Sequence, residues 1–141
     1  MWQQSFTKFY PAVHKAAVWQ AWTDVANWPQ WDSELAYCEP PKTFAAGNHF
    51  VLKPKSGPKV KLTLSAVEPL QHFTDYCRFP GAIMYDEHQL IETDAGIQIT
   101  NTIRVTGPLR KFWAWLVARK VAASVPTQTD NLINYVRQHH D

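Results

Sequence analysis

Hydrophobic and polar residues alternate along most of the chain, and this period-two pattern gives way to a helical period in places. Residues 3–9 alternate as a β-strand does, whereas residues 14–23 repeat apolar side chains at helical spacing. Asp32 or Ser33 could cap a second, short helix around residues 33–36. Six further strands are separated by proline, glycine and aspartate, and they are predicted at 37–40, 48–53, 60–67, 72–79, 84–92 and 97–105.

The period changes to that of a helix after Gly107-Pro108. Proline is favoured in the first turn of a helix, and an apolar stripe then runs to the C-terminus through Leu109, Phe112, Trp113, Leu116, Val121, Val125, Leu132 and Val136. Strands joined by short turns pair antiparallel, and such a sheet needs a covering layer. The pattern therefore predicts an α+β fold in which the long C-terminal helix covers an antiparallel sheet.

Composition narrows the class of protein. The chain has 141 residues with a net charge of +2, which suits one globular domain over 1–141 and does not favour binding to nucleic acid. We find neither a secretory signal nor an apolar run long enough for an integral membrane segment. Cys38 and Cys77 lack metal-type spacing and are interpreted as reduced thiols, which favours a cytoplasmic location.

Several motifs occur at characteristic places along this order of elements. They are the VW-x-A-x-x-D-x-x-x-W-x-x-W-D pattern at 18–32, Gly47, EHQLIE at 87–92, Gly96, Gly107-Pro108-Leu109 and Asn131-Leu132. With them the chain resembles the SRPBCC superfamily, which includes START domains, birch-pollen allergens and polyketide cyclases, and it is most similar to the polyketide cyclase/dehydrase-like branch.

The resemblance implies a helix-grip fold. In that fold a curved seven-stranded antiparallel sheet wraps around a long C-terminal helix, two short helices follow the first strand, and an apolar cavity lies between sheet and helix. Members of the superfamily bind lipids, hormones, polyketides or aromatic compounds, and only some are enzymes. A small apolar, aromatic or lipid-like ligand is therefore the expected partner, with no cofactor, and the oligomeric state is left open.

Alternation along each strand predicts which side chains face such a cavity. The candidates for ligand contact share an inward position on a strand, a place in the connector after the first helix, or a place at the start of the C-terminal helix. They are Trp28, Trp31, Phe50, Leu62, Leu64, Phe73, Cys77, Asp86, Leu90, Ile99, Ile103, Trp113 and Leu116.

A polar row interrupts this inner wall. If Phe79 pairs with Met84 and Glu92 with Ile97, then Asp75, His88 and Asn101 lie side by side on three neighbouring strands. Asp75 would then orient the His88 imidazole as a general acid or base, and Asn101 could stabilise a developing oxyanion. The same groups could instead satisfy one another and orient the polar end of a ligand.

Three functions remain open from the sequence. The first is a binding module for a small ligand, the second a cyclase/dehydrase-type enzyme using His88, Asp75 and Asn101, and the third a protein-interaction domain using exposed aromatics such as Trp115. Asp86-x-His88 near Cys77 lacks any known metal-binding spacing, so no metal is predicted. A lysine cluster at Lys53, Lys55, Lys59 and Lys61 could meet an acidic partner or a membrane, although a solvated edge is favoured.

Overall fold

An open antiparallel sheet forms most of the protein in the computed structural model, which describes residues 1–139. The strands are β1 (Trp2–Pro11), β2 (Leu35–Glu39), β3 (His49–Pro54), β4 (Val60–Glu68), β5 (His72–Phe79), β6 (Ala82–Thr93) and β7 (Gly96–Thr106). Their order across the seven-stranded sheet is β1-β7-β6-β5-β4-β3-β2. The first strand therefore pairs with the last, and the others follow one another as a meander.

Helices cover one face of this sheet. Helix α1 (Lys15–Thr23) follows β1, and the C-terminal helix consists of an α-helical turn Arg110–Trp113, a π-helical turn Ala114–Ala118 and an α-helix Arg119–His139. Apolar side chains of the sheet meet both helices in the core, as predicted from alternation. The helix-grip architecture expected from the sequence is confirmed. In the described residues, no helix is long and apolar enough to cross a membrane.

The second short helix lies earlier than the sequence predicted. It is a 3₁₀ helix at Val25–Gln30, and part of the predicted segment 33–36 belongs to β2 instead. The indole Nε1 of Trp28 donates a hydrogen bond to the backbone oxygen of Trp22, at 3.1 Å. This bond ties the helix to the end of α1, and the burial of Val25 and Trp28 holds it against the core. The predicted cap at Asp32 was wrong because these earlier apolar side chains determine where the chain turns.

The apolar stripe predicted at the start of the C-terminal helix was also wrong. Leu109, Phe112 and Leu116 are exposed, whereas Ala114 and Ala118 are buried. These alanines pack against Ile103 and Val105 of β7, together with Ala122 further along the helix. Small side chains let the helix approach a sheet whose own residues are large, so the larger helix side chains point outwards.

The pairing of β5 with β6 differs from the predicted register by two residues. Phe79 pairs with Ala82 and not with Met84, because Pro80 and Gly81 alone form the turn. Gly81 has φ +75°, a conformation that glycine adopts without strain. The second predicted register is confirmed, since Glu92 pairs with Ile97 and His88 with Asn101. The first error changes which residues oppose each other at the site.

Candidate functional site

A cavity of about 500 Å³ lies between the sheet and the C-terminal helix. This volume falls in the range of small-molecule pockets. Exposed residues of its lining, namely Glu34, Pro58 and Lys120, mark where it opens to solvent. The wall is mostly apolar, and four of its polar residues, Asp75, Asp86, His88 and Asn101, lie together on the inner faces of β5, β6 and β7.

Seven of the thirteen residues predicted to touch ligand line this cavity, and so do the three predicted catalytic residues. The first group is Trp28, Trp31, Leu62, Phe73, Cys77, Asp86 and Ile99, and the second is Asp75, His88 and Asn101. Alternation along the strands therefore identified the inward-facing side of the sheet, and five of the nine strand residues predicted to touch ligand lie in the cavity wall. Trp28 lies in the 3₁₀ helix and packs edge-on against Phe50 of β3 at 5.4 Å, and Trp31 directly follows that helix.

The cavity wall formed by the described residues does not include Phe50, Leu64, Leu90, Ile103, Trp113 and Leu116. The first four face inwards as predicted but are buried in packed parts of the core. Trp113 stacks on Phe79 at 4.4 Å and donates its indole hydrogen to the Pro80 backbone oxygen at 2.8 Å. It fixes the start of the helix, whereas Leu116 points outwards. Inward orientation alone does not tell cavity wall from packed core.

Sequence reasoning missed the helix side of the cavity. The contributing residues are Val117, Lys120, Val121, Ser124, Val125, Gln128, Thr129 and Leu132. Val121, Val125 and Leu132 lie in the predicted apolar stripe but were not predicted to contact ligand, and most of the others are polar. Trp22 of α1 was also absent from the predicted set. It lines the cavity and packs edge-on against both Phe73 and His88, with ring centroids 5.2 and 5.5 Å apart.

Two carboxyl groups and an imidazole meet at the base of the cavity. Asp75 opposes Asp86 directly across β5 and β6, and not His88 as predicted. The Asn101 Nδ2 donates to Asp86 Oδ1 at 3.0 Å, and the same oxygen lies 3.4 Å from His88 Nε2. Asp86, and not Asp75, is therefore the carboxylate that contacts the imidazole and the amide. We call Asp75, Asp86, His88 and Asn101 the polar base.

His88 is held by aromatic rings. Its imidazole stacks on Phe73, the residue directly opposite on β5, at a centroid distance of 4.0 Å and an interplanar angle of 9°. Its Nδ1 atom is buried without a hydrogen-bond partner in the described part of the chain. Burial lowers the pKa of His88 below its ordinary value, although the charge of Asp86 opposes this effect. The imidazole is therefore neutral at neutral pH.

The two carboxyl groups have raised pKa values. For Asp75, burial and then the charge of Asp86 raise the pKa well above its ordinary value. For Asp86, burial raises the pKa, while His88 and the hydrogen bond from Asn101 act in the opposite direction. Burial and the two nearby carboxylates also raise the pKa of the Cys77 thiol to about 12, so this cysteine is not a ready nucleophile.

The same three groups are close enough to share a cation. One donor atom from each of Asp75, Asp86 and His88 lies within 4.8 Å of the other two. A metal-bound histidine normally donates its second ring N–H to a partner, but His88 Nδ1 faces no such group among the described residues. The surroundings of the imidazole thus fit an organic ligand better than a metal.

The protein combines a helix-grip fold with a mainly apolar cavity that has a polar base, an arrangement consistent with ligand binding. Residues 8–137 match the sequence profile of the family described as polyketide cyclase / dehydrase and lipid transport. The match covers most of the chain, and the protein belongs to this family. A search of curated proteins finds no match.

Solved structures with the same fold include proteins of different activity. Protein MLL2253 from Mesorhizobium loti has a TM-score of 0.72 at 14% identity, over 99% of both chains. Norcoclaurine synthase from Thalictrum flavum, solved with dopamine and hydroxybenzaldehyde, has a TM-score of 0.72 at 10% identity, over 99% of this chain and 90% of that one. The di-domain ARO/CYC protein StfQ of the steffimycin biosynthetic pathway has a TM-score of 0.75 at 9% identity, over 97% of this chain and 51% of that one. At such identities the likeness shows the fold alone.

Proposed function

We propose that the protein binds one small, mostly apolar or aromatic molecule in the cavity, with an oxygen-bearing end of the molecule at the polar base. The observation that carries this proposal is Asp75. Its side chain is buried, with only 4% of the residue exposed, yet it lines the cavity and takes part in no side-chain hydrogen bond of the described residues. The Nδ1 atom of His88, in the same part of the cavity wall, is buried without a hydrogen-bond partner among the described residues. A ligand that supplies partners to these polar groups gains affinity there.

The hydrogen bonds within the polar base indicate which hydrogen-bonding group the ligand carries. Asp86 accepts a hydrogen bond from Asn101 and lies beside His88. The hydrogen bond from Asn101 stabilises the negative charge on Asp86, so of the two opposed carboxyl groups Asp75 is the one that holds a proton. A neutral Asp75 donates a hydrogen bond. It therefore suits a carbonyl, phenol or other oxygen acceptor on an otherwise apolar molecule.

Binding of a neutral apolar dye tests the proposal. N-phenylnaphthylamine becomes fluorescent in apolar surroundings, and we expect a saturable rise in its fluorescence with the purified protein. Ser124→Phe fills the cavity from the helix side and should abolish this rise, as should Val121→Trp. Ala123→Phe places the same ring on the exposed neighbouring position and serves as the matched control.

Thermal melting of each variant shows that it is folded. Dye binding that survives both cavity-filling variants in folded protein would contradict the proposal. So would an equal loss of binding in Ala123→Phe, because that ring does not enter the cavity.

Acid–base catalysis on a carbonyl compound is a second candidate, and the pair of opposed carboxyl groups favours it. Asp75 carries the proton that a carbonyl oxygen accepts, while Asp86 with His88 offers the base that removes a neighbouring C–H proton. The products of that step are the neutral enol, an ionised Asp75 and a protonated base. The protonated base then exchanges its proton for a deuteron of the solvent, and transfer of that deuteron to carbon with return of the enol proton to Asp75 restores the ketone.

Hydrogen–deuterium exchange at the α-carbon of β-tetralone, an aromatic ketone, tests this candidate. We expect the protein to accelerate exchange in D₂O and both Asp75→Asn and Asp86→Asn to remove the acceleration. Exchange no faster than in buffer, or equal in the two variants and the natural protein, would restrict the function to binding.

A further inference from the structure

The first turns of the C-terminal helix expose large apolar side chains. Phe112 is 50% exposed and Trp115 is 60% exposed, and Leu109 and Leu116 are exposed beside them. None is needed for the core, because Ala114 and Ala118 make the contact with the sheet. An exposed cluster of this kind commonly marks an interaction surface.

Positive charge surrounds this cluster. Arg110, Lys111, Arg119 and Lys120 lie within the same segment, and the chain contains no aspartate or glutamate from residue 95 to residue 129. The Arg119 guanidinium lies 5.3 Å from the centre of the Trp115 ring. Apolar rings flanked by basic side chains are typical of helices that lie in the interface of an anionic membrane. We call the exposed residues Leu109, Lys111, Phe112, Trp115, Leu116, Arg119 and Lys120 the exposed helix face.

The exposed helix face borders the opening of the cavity. Val117, Lys120 and Val121 line the cavity, and Lys120 stands at its mouth. Pro54 at the end of β3 and Pro58 in the turn between β3 and β4 also line it. That turn carries the lysine cluster identified in the sequence, including the exposed Lys55 and Lys59. Basic side chains thus stand on two sides of the mouth, with Glu34 the exposed acidic residue of the lining.

We propose that the exposed helix face docks the protein on the surface of an anionic lipid bilayer, with Phe112, Trp115 and Leu116 inserted among the headgroups. Lys111, Arg119 and Lys120 contact lipid phosphates, and the cavity mouth faces the bilayer. This docking is reversible and superficial, since the rings extend from one helix turn. Resting on the proposed ligand-binding function, it gives an apolar ligand a path between cavity and membrane that avoids water.

Co-sedimentation with lipid vesicles tests the docking surface. We expect binding to phosphatidylglycerol vesicles that weakens with salt, and little binding to phosphatidylcholine vesicles. The double variant Phe112→Ser/Trp115→Ser should reduce affinity about tenfold or more, since it removes the inserted rings. Ile91→Ser is the matched control, because Ile91 is 55% exposed on β6, outside the exposed helix face.

Charge reversal supplies a second test with its own control. Lys111→Glu/Arg119→Glu should reduce binding to anionic vesicles, whereas Lys42→Glu, at an exposed position outside the exposed helix face, should not.

Equal binding by the double serine variant and the natural protein would overturn the proposal. Concentration-dependent self-association that this variant abolishes, without vesicle binding, would instead assign the surface to a second copy of the chain. Dye binding in the cavity is measured without vesicles, so failure of docking and failure of ligand binding are distinguishable.

Discussion

At the scale of single residues, the contacts within the polar base determine which of its two carboxyl groups carries the negative charge. Two carboxyl groups face each other in an apolar cavity, and only Asp86 receives the hydrogen bond and the imidazole contact that stabilise an anion. Sequence alternation put Asp75, Asp86, His88 and Asn101 on the inner face. It could not decide which carboxylate meets His88, because that depends on whether the Pro80-Gly81 turn has two residues or four.

The stability of the protein should reflect the unfavourable ionisation of Asp75. The pKa of Asp75 is raised in the folded state. The protonated carboxyl group therefore contributes to the stability of the folded protein, fully below the ordinary pKa of 3.8, and this contribution is lost as pH rises through the folded pKa. Asp75→Asn has no proton to lose. We therefore expect the variant to gain stability relative to the natural protein as pH rises from acid towards neutral.

Chemical denaturation at a series of pH values measures this difference in the free energy of unfolding. Asp94→Asn is the control, since Asp94 lies exposed in the turn before β7. A difference between Asp75→Asn and the natural protein that stays constant with pH would show that Asp75 is not held in its neutral form.

At the scale of elements, strands were easier to predict than helix faces. Alternation repeats every two residues and each strand is bounded by turn residues, so β5 was predicted with its observed limits. The C-terminal helix was predicted as an element, and its inward face was predicted correctly at Val125, Leu132 and Val136 but wrongly at its start. Its buried residues near β7 are alanines, which carry little hydrophobic signal, while the conspicuous rings of Phe112 and Trp115 face solvent.

The C-terminal helix approaches β7 closely through its alanines, and this packing leads to a prediction for Ala118. This residue is fully buried between the helix and β7. Ala118→Leu adds volume where there is no room, so the variant should lose about 1–3 kcal/mol of unfolding free energy. Ala123→Leu, on the exposed side of the same helix, should change stability by less than about 0.5 kcal/mol. Equal effects in urea denaturation would show that the helix does not pack through its alanines.

At the scale of the whole molecule, the cavity follows from the difference between sheet and helix. The sheet presents large apolar residues, and the helix meets them through alanine at its first turns but through small and polar side chains such as Ser124 and Thr129 further along. The family resemblance was the reason to expect a cavity. Its volume and its helix-side wall depend on how far the helix stands from the sheet, which no periodicity encodes.

Whole-molecule architecture also separates two roles for aromatic residues. Trp22, Trp28 and Trp31 line the cavity, whereas Trp115 faces solvent on the exposed helix face. We infer that the first group determines what the cavity holds and that the second determines where the protein delivers or collects it. The vesicle experiment and the dye experiment test these two roles separately.

Native mass spectrometry of the purified protein tests the central claim most directly. We predict a population heavier than the chain by the mass of one small molecule, which solvent extraction releases as an apolar or aromatic compound bearing oxygen. Ser124→Phe should lack this population and Ala123→Phe should retain it. Natural protein that carries no such molecule and takes up no apolar compound, or an adduct retained in folded Ser124→Phe, would contradict ligand binding in the cavity.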